Sequence, residues 1–354
     1  MPWPTKKLGE IISFEKEKKM AVANDGEPYI GIDGLRTNLY AVYTQEKNGV
    51  RCKQDDVLLV WDGAHAGTVG TGLRGFVGST VVKVLHHNSL ENKFLFYLLK
   101  LFQEKIRAAA QGAAIPHLSK AFINNLKIPL PSLKIQKQIV ERLDKITEAQ
   151  KLNDGLIRKT EEFFQSLLHR ELNPAGKNWE VKKLKEVCEE LFAGGDVPKN
   201  NFSKIKTEKY FVPIFANGIQ GKDLYGYTDI KKVTKPSITI SARGTIGYPA
   251  IRTEVFYPIV RLIVLIPNSK IIDLHFLYYT TRNFNFFNTG TSIPQLTIPM
   301  IKNIKIPLPS LKVQKQIVAK LSAAQEYKSQ LLAQKSKLKE LFDSVLSKSM
   351  HSKL

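Results

Sequence analysis

The stretch KIPLPSLKIQKQIV begins at Lys127, and KIPLPSLKVQKQIV begins at Lys305; they differ only at Ile135 against Val313. Self-similarity at a fixed spacing marks a structure built from like units, and it limits the possible folds before composition is considered. The repeat extends outward. WPTKKLGEI (3–11) returns as WEVKKLKEV (179–187), AGTVG (66–70) as RGTIG (243–247) and FLFYLL (94–99) as FLYYTT (276–281). GAAIPHLS (112–119) returns as GTSIPQLT (290–297). Order is kept and each partner lies about 177 residues on, so the chain is a tandem duplication.

Each copy has two sections. Residues 1–133 and 174–311 read as short strands and turns with a helix or two. DDVLLVWDG and PSITISARG are apolar β-rich runs ending at Gly. NKFLFYLLKLFQEKIRAAA (92–110) has helical apolar spacing. The second sections, 134–173 and 312–354, follow IPLPS. There Pro129 and Pro131 hold the chain extended and Ser132 is placed to cap a helix. Ile139, Leu143, Ile146, Ile157, Phe164 and Leu167 then fall on one heptad seam, with Gln150, Asn153 and Thr160 as polar members. The second seam reads Ile317, Leu321, Ala324, Lys328, Leu331, Lys335, Leu338, Phe342 and Val345. Such a pattern predicts a coiled coil. The expected fold is α+β: two repeated α/β domains, separated by two long antiparallel helices that bring Ile139 near Val345. A pseudo-two-fold pair of domains matches two half-sites on duplex DNA.

Charge agrees with a polyanionic partner. The chain of 354 residues carries 53 Lys/Arg against 32 Asp/Glu, a net +21. The excess is spread through foldable sequence: residues 174–311 alone hold 19 against 10. No apolar run approaches the roughly 18 residues of a membrane span, and MPWPTKKLGE is a poor signal peptide. Two cysteines, Cys52 and Cys188, cannot build a disulfide framework. A cytoplasmic location and no membrane association are expected.

Several motifs of catalysis are missing. There is no Pro-Pro loop of an amino-methyltransferase and no G-x-x-x-x-G-K-[ST] phosphate loop. GTGLRG (70–75) matches G-x-G-x-x-G, but a strand-like FVGSTVVKVL follows it, where a dinucleotide site opens a helix. EKEKK (15–19) reads as a solvated charge run, and His86 and His87 as a strand end.

The Trp-x-x-x-x-Leu openings (Trp3, Leu8; Trp179, Leu184), GT[VI]G after a strand, I-P-x-L, and above all the doubled IPLPSL-x-x-Q-x-x-IV-x-x-L resemble the specificity subunits of type I restriction-modification enzymes over nearly the whole chain. One departure is Ile135 and Val313, where the family commonly has Glu before the Gln. The resemblance implies target recognition domains at 1–133 and 174–311, each reading half of a bipartite double-stranded DNA target. It implies spacer helices at 134–173 and 312–354 that dock two methyltransferase subunits, with restriction subunits joining them. The chain itself would be no enzyme and would hold no cofactor or metal; S-adenosylmethionine, ATP and Mg²⁺ would serve the partners. Other readings are the specificity chain of a type IIB-like system, a non-specific nucleic-acid-binding coiled-coil adaptor, and a fused or degenerate methyltransferase or nuclease whose motifs are not recognisable.

Base readout needs basic and amide side chains near loop tips. In the first domain these are Arg36, Asn38, Arg51, Lys53, His65 and Arg74; in the second, Asn217, Gln220, Lys222, Lys231, Lys232, Ser241, Arg243 and Thr245. Tyr225 and Tyr227 add flat apolar contact. Arg243 is the leading candidate, since it precedes the recurring GTIG turn where the first copy has Ala66. Leu152, Leu156, Phe163, Leu331, Leu332 and Leu341 exceed what a two-helix seam buries and mark candidate partner-binding faces.

Overall fold

The computed structural model describes residues 3–110, 112, 116–284 and 295–350. The chain packs as two compact units, Met1–Gly155 with Ala333–Leu354, and Leu156–Leu332. Parts of the GAAIPHLS and GTSIPQLT pair, residues 113–115 and 290–294, lie outside the described residues.

In the first unit the Trp opening and the IPLPS exit meet. Strand Thr5–Lys7 pairs antiparallel with Lys127–Pro129, Thr5 opposite Pro129. The main sheet has the order Ile12–Lys16, Val81–His86, Val57–Val60, Val69–Gly70, all antiparallel. Val57–Val60 is buried at every position, which explains its unbroken apolar run. A second sheet has the order Tyr43–Thr44, Glu27–Ile30, Gly75–Val77, Arg51–Cys52, its middle pair parallel. The helices are α1 (Ile32–Thr37), α2 (Asn92–Ala108), α3 (Lys120–Asn125) and α4 (Leu133–Leu172). GTGLRG forms a turn running into strand Gly75–Val77, as its sequence context predicts, with Gly72 at φ 90°.

The second unit repeats this frame. Glu180–Lys183 pairs with Lys305–Leu308, and the main sheet runs Cys188–Ala193, Ile263–Pro267, Ser237–Ile240, Pro249–Arg252. Its helices are α5 (Leu184–Val187), α6 (Leu274–Arg282), α7 (Ile298–Ile301) and α8 (Leu311–Met350). The second sheet keeps the parallel pair, Val212–Phe215 with Tyr257–Pro258, but flanks it differently, with Leu224–Thr228 and Phe202–Ser203 on one side. The main sheets are copies; the outer sheets diverge.

The doubled sentence has a structural reason. Gln136 and Gln314 are both fully buried. Gln136 Nε2 donates to Pro131 O and Ser89 O at 2.8 and 2.9 Å, and its Oε1 accepts the Glu91 N–H at 2.9 Å. Gln314 Nε2 donates to Pro309 O and Ile271 O at 2.8 and 3.0 Å, and its Oε1 accepts the Asp273 N–H at 2.7 Å. Glu91 and Asp273 are the N-caps of α2 and α6. One side chain in each copy thus joins the first turn of a long helix to the start of the domain helix.

The long helices close the units symmetrically. In the first, Tyr97 donates to Asp144 Oδ1 at 2.7 Å and its ring lies 5.8 Å from that of Phe342. In the second, Tyr279 donates to Gln325 Oε1 at 3.0 Å and its ring lies 6.2 Å from that of Phe164. Burial pushes both phenols up, which keeps them protonated as donors. Pairing is antiparallel, as the seam predicts. In the first unit Gln150 meets Leu338 and Asp154 meets Lys335, with Ile139 and Val345 in one core. In the second Glu161 meets Lys328 and Glu171 meets Lys320. Lys335 departs from the predicted seam: it is exposed, because Asp154 holds its ammonium at 2.8 Å on the surface.

Gln136→Leu conserves volume but orphans three backbone groups, each costing about 1–3 kcal/mol if it stays buried. The variant should lose about 3 kcal/mol or more, read as a lowered denaturation midpoint of the first unit. A loss below about 1 kcal/mol would show that the amide is not the joint.

Candidate nucleic-acid interface

In the first unit the structure gathers residues that are scattered in sequence. Arg51, Lys53 and Arg74 line one groove of about 610 Å3 with Glu27 and Tyr40. Arg51 is committed on both sides: it pairs with Glu27 at 2.8 and 3.0 Å and stacks 4.1 Å from the Phe76 ring centroid. Lys53 and Arg74 are exposed, and the Arg74 N–H donates to Tyr40 Oη at 3.0 Å. Arg36 sits in the last turn of α1, exposed, with Asp33 at 3.4 Å. Asn38 terminates α1 in left-handed backbone, φ 57°, a role Asn tolerates better than most residues. His65 is half-buried in a turn whose carbonyl accepts the Thr68 hydroxyl at 2.8 Å.

In the second unit Gln220, Lys222, Lys231, Lys232, Arg243 and Thr245 are exposed. Gln220 and Lys222 sit on a tight turn with the Lys222 N–H donating to Ile219 O at 2.9 Å. Lys231 lies 5.8 Å from the Phe211 ring centroid. Arg243 Nε and Nη2 both donate to Gln295 Oε1, at 3.1 and 2.6 Å. Thr245 donates to Ser241 Oγ at 3.3 Å and shares a groove of about 500 Å3 with Tyr248 and Arg282. Tyr225 and Tyr227 are half-buried, and Lys204 covers the Tyr225 ring at 3.3 Å.

Two predicted contacts occupy different positions. Ser241 is 1% exposed; its hydroxyl accepts the Gly218 N–H at 3.2 Å and donates to Arg243 O at 3.1 Å. Asn217 spends its amide on backbone, donating to Val260 O at 2.7 Å and accepting the Ala242 N–H at 2.6 Å. Both build turns. Among the partner-face candidates, Leu152, Leu156, Phe163, Leu332 and Leu341 are 65, 44, 56, 50 and 48% exposed. Leu331 is 4% exposed: it belongs to the helix seam, which its heptad position also encodes, and not to an outer face.

Other features were not singled out from sequence. Gln295 is the variable residue of I-P-x-L; at the same place in the first copy His117 bonds Asp62 at 2.6 Å, and Asp62 also pairs with Lys16 at 2.6 Å. Burial raises the Asp62 carboxyl, and these two hydrogen bonds outweigh it and hold the group below the usual carboxylate range. Arg252 and Asp223 form an ion pair at 5% and 3% side-chain exposure, with the guanidinium 3.7 Å from the Phe215 ring centroid. Asp223 Oδ1 accepts the Gly221 N–H at 3.1 Å, which ties the pair to the turn bearing Gln220 and Lys222. Burial pushes Cys52 and Cys188 up to about 11 and 12, away from thiolate chemistry at neutral pH. No cluster of three or more metal-ligating side chains exists among the described residues, and none of the described helices is long and apolar enough to cross a membrane.

Comparison with known proteins agrees with this duplicated frame. A profile of the type I restriction modification DNA specificity domain matches residues 1–162 and again 176–340. The type I restriction enzyme MjaVIII specificity subunit of Methanocaldococcus jannaschii is 29% identical over 99% of this chain and 91% of its own. A putative type I specificity subunit of Mycoplasma pneumoniae is 32% identical over 68% of this chain and 74% of its own. In fold the chain is similar to the S subunit of a type I restriction-modification system from M. genitalium, with TM-score 0.65 and 18% identity over 98% of this chain and 96% of that one. A chain from work on assembly and conformational transition of the type I R-M system superposes at TM-score 0.68 and 18% identity, covering 100% and 98%.

Removing one partner of a buried ion pair leaves a charge uncompensated, at about 3–5 kcal/mol. Asp223→Ala should therefore destabilise the second unit by that order, while Asp223→Ala with Arg252→Met recovers most of the loss in thermal unfolding. A double variant no better than the single one would show that the pair is not coupled.

Proposed function

Because the chain belongs to the type I restriction-modification DNA specificity family, we propose that it is the non-catalytic subunit that selects a bipartite DNA target and docks the enzymatic subunits. The observation that carries this reading is one frame built twice with unlike side chains on its loops. Arg51, Lys53 and Arg74 crowd the groove of the first unit, and Arg243, Gln220 and Lys222 stand on turns of the second. Two equivalent frames with different loops suit two different half-sites.

Within the second unit Arg243 is the proposed base reader. Gln295 fixes its guanidinium through Nε and one Nη, leaving the remaining N–H groups to meet a base edge from a set direction. Lys222 and Lys232, exposed and without an ion pair among the described residues, suit phosphate, which positions the protein without encoding sequence. Two methyltransferase subunits dock on the helices, one per repeat, and restriction subunits join that complex. S-adenosylmethionine, ATP and Mg²⁺ belong to those partners. Phe163 and Leu341 support the docking count: each is exposed, and each directly precedes the phenylalanine that packs on a domain tyrosine, Phe164 or Phe342.

Exchanging residues 174–304 for the corresponding segment of a relative should change one half of the methylated target in the host and leave the other half intact. A swap that alters both halves, or neither, sinks the two-reader assignment. The docking faces have their own test. Phe163→Ser and Leu341→Ser should each remove one methyltransferase from the assembled complex, and the double variant both, by light-scattering mass. Full assembly of the double variant would place the docking elsewhere.

A further inference from the structure

One turn at the edge of the reading surface is built in both copies but with different backbones. In the first unit it spans 78–81, closed by the Val81 N–H donating to Gly78 O at 2.9 Å. In the second it spans 259–262, closed by the Leu262 N–H donating to Ile259 O at 3.0 Å. Ser79 and Thr80 at the first tip keep ordinary negative φ, whereas Val260 and Arg261 at the second have φ 53° and 64°. Left-handed backbone is uncommon for side-chain-bearing residues and rarest for a β-branched one. It persists where surroundings impose it, and such positions cluster at functional sites.

The surroundings that impose it are Asn217 and a strand edge. Asn217 Nδ2 holds Val260 O at 2.7 Å, and the Val260 and Arg261 N–H groups donate to Gly195 O and Gly194 O at 2.8 and 3.1 Å. The same side chain takes the Ala242 N–H at 2.6 Å. One amide therefore sets the turn bearing Arg261 beside the turn bearing Arg243. The first copy has Ile32 at the matching place, two residues beyond the carbonyl that accepts the turn's N–H, so tether and left-handed turn are absent there together. Arg261 is exposed, and no hydrogen bond or ion pair engages its guanidinium among the described residues. Arg51, Arg243 and Arg252 are each held by Glu27, Gln295 and Asp223.

We infer that Arg261 is a DNA phosphate contact of the second unit and that Asn217 is its positioning residue, an inference that rests on the proposed function. A base reader needs a side chain of fixed direction, which Gln295 gives Arg243. Arg261 has a fixed backbone and a free side chain, which suits a phosphate that accepts hydrogen bonds from many directions.

The test uses the full chain and two duplexes of equal length: one enriched by it from a random-sequence pool, and a scrambled one. Arg261→Ala should weaken both alike and reduce the slope of log affinity against log salt by about 0.9. Arg261→Lys should restore that slope. Asn217→Asp keeps the acceptor for Ala242 and removes the donor for Val260. It should weaken binding in the parent chain and add nothing in the Arg261→Ala background. An Arg261→Ala chain with the parental slope overturns the inference, as does one that loses its preference for the enriched duplex at unchanged slope. If the parent enriches no duplex, the proposed function fails first; Arg243→Ala, expected to lose at least tenfold on the enriched duplex only, confirms that sequence reading is being measured.

Discussion

A buried glutamine with every hydrogen-bonding group satisfied by backbone is the joint on which each unit is assembled. The two prolines before it hold the chain extended, so the helix that follows starts in a fixed direction. Gln136 or Gln314 then fixes where that start lies on the domain, since its three partners belong to the helix entrance and to the approach to α2 or α6. An apolar residue there would fill the space but specify no register. The neighbouring Ile135 and Val313, the one position at which the two stretches differ, are both partly buried aliphatics.

From that joint the symmetry of the units follows. A helix leaving each joint presents Asp144 and Thr147, or Ser322 and Gln325, to the domain tyrosine. The far part of the other long helix brings a phenylalanine to the same tyrosine. The packing unit is therefore not the sequence repeat. Phe164, written in the first copy, is buried against Tyr279 of the second, and Phe342 of the second closes on Tyr97 of the first. Duplication made two frames that complete one another by exchange of helix segments.

Much of this was legible in sequence because it depends on local pattern. The repeat, the extended IPLPS, the strand runs and the seam each rest on periodicity or on Pro and Gly geometry, and the structure keeps them. Leu331 fits both the seam and an outer face by sequence, and its burial puts it in the seam. The two loop residues engaged by backbone share one feature. Asn217 and Ser241 carry the right chemistry to meet a base, and only tertiary proximity shows that backbone groups 23 to 43 residues away consume it. Arg252 and Asp223 were invisible for the same reason, since 29 residues separate them and neither lies in a motif.

The two outer surfaces differ in how they are stiffened, and this bears on how each can vary. In the first, stiffness comes from pairs with at least one partner at the surface: Arg51 with Glu27, both half exposed, and Asp62 with the exposed Lys16 and His117. Solvent screens the Arg51–Glu27 pair, so it can be exchanged at small cost. In the second, it comes from a buried ion pair and a tether, Arg252 with Asp223 and Asn217 with Val260 and Ala242. A buried pair tolerates loss of neither partner alone, and a left-handed Val260 needs its tether. Change at the second surface is therefore confined to side chains standing on the fixed turns, Gln220, Lys222, Arg243 and Arg261, whereas the first surface can exchange its supports along with its contacts. Two frames of common origin thus present loops under unequal constraint, and the shared glutamine joint lies outside both.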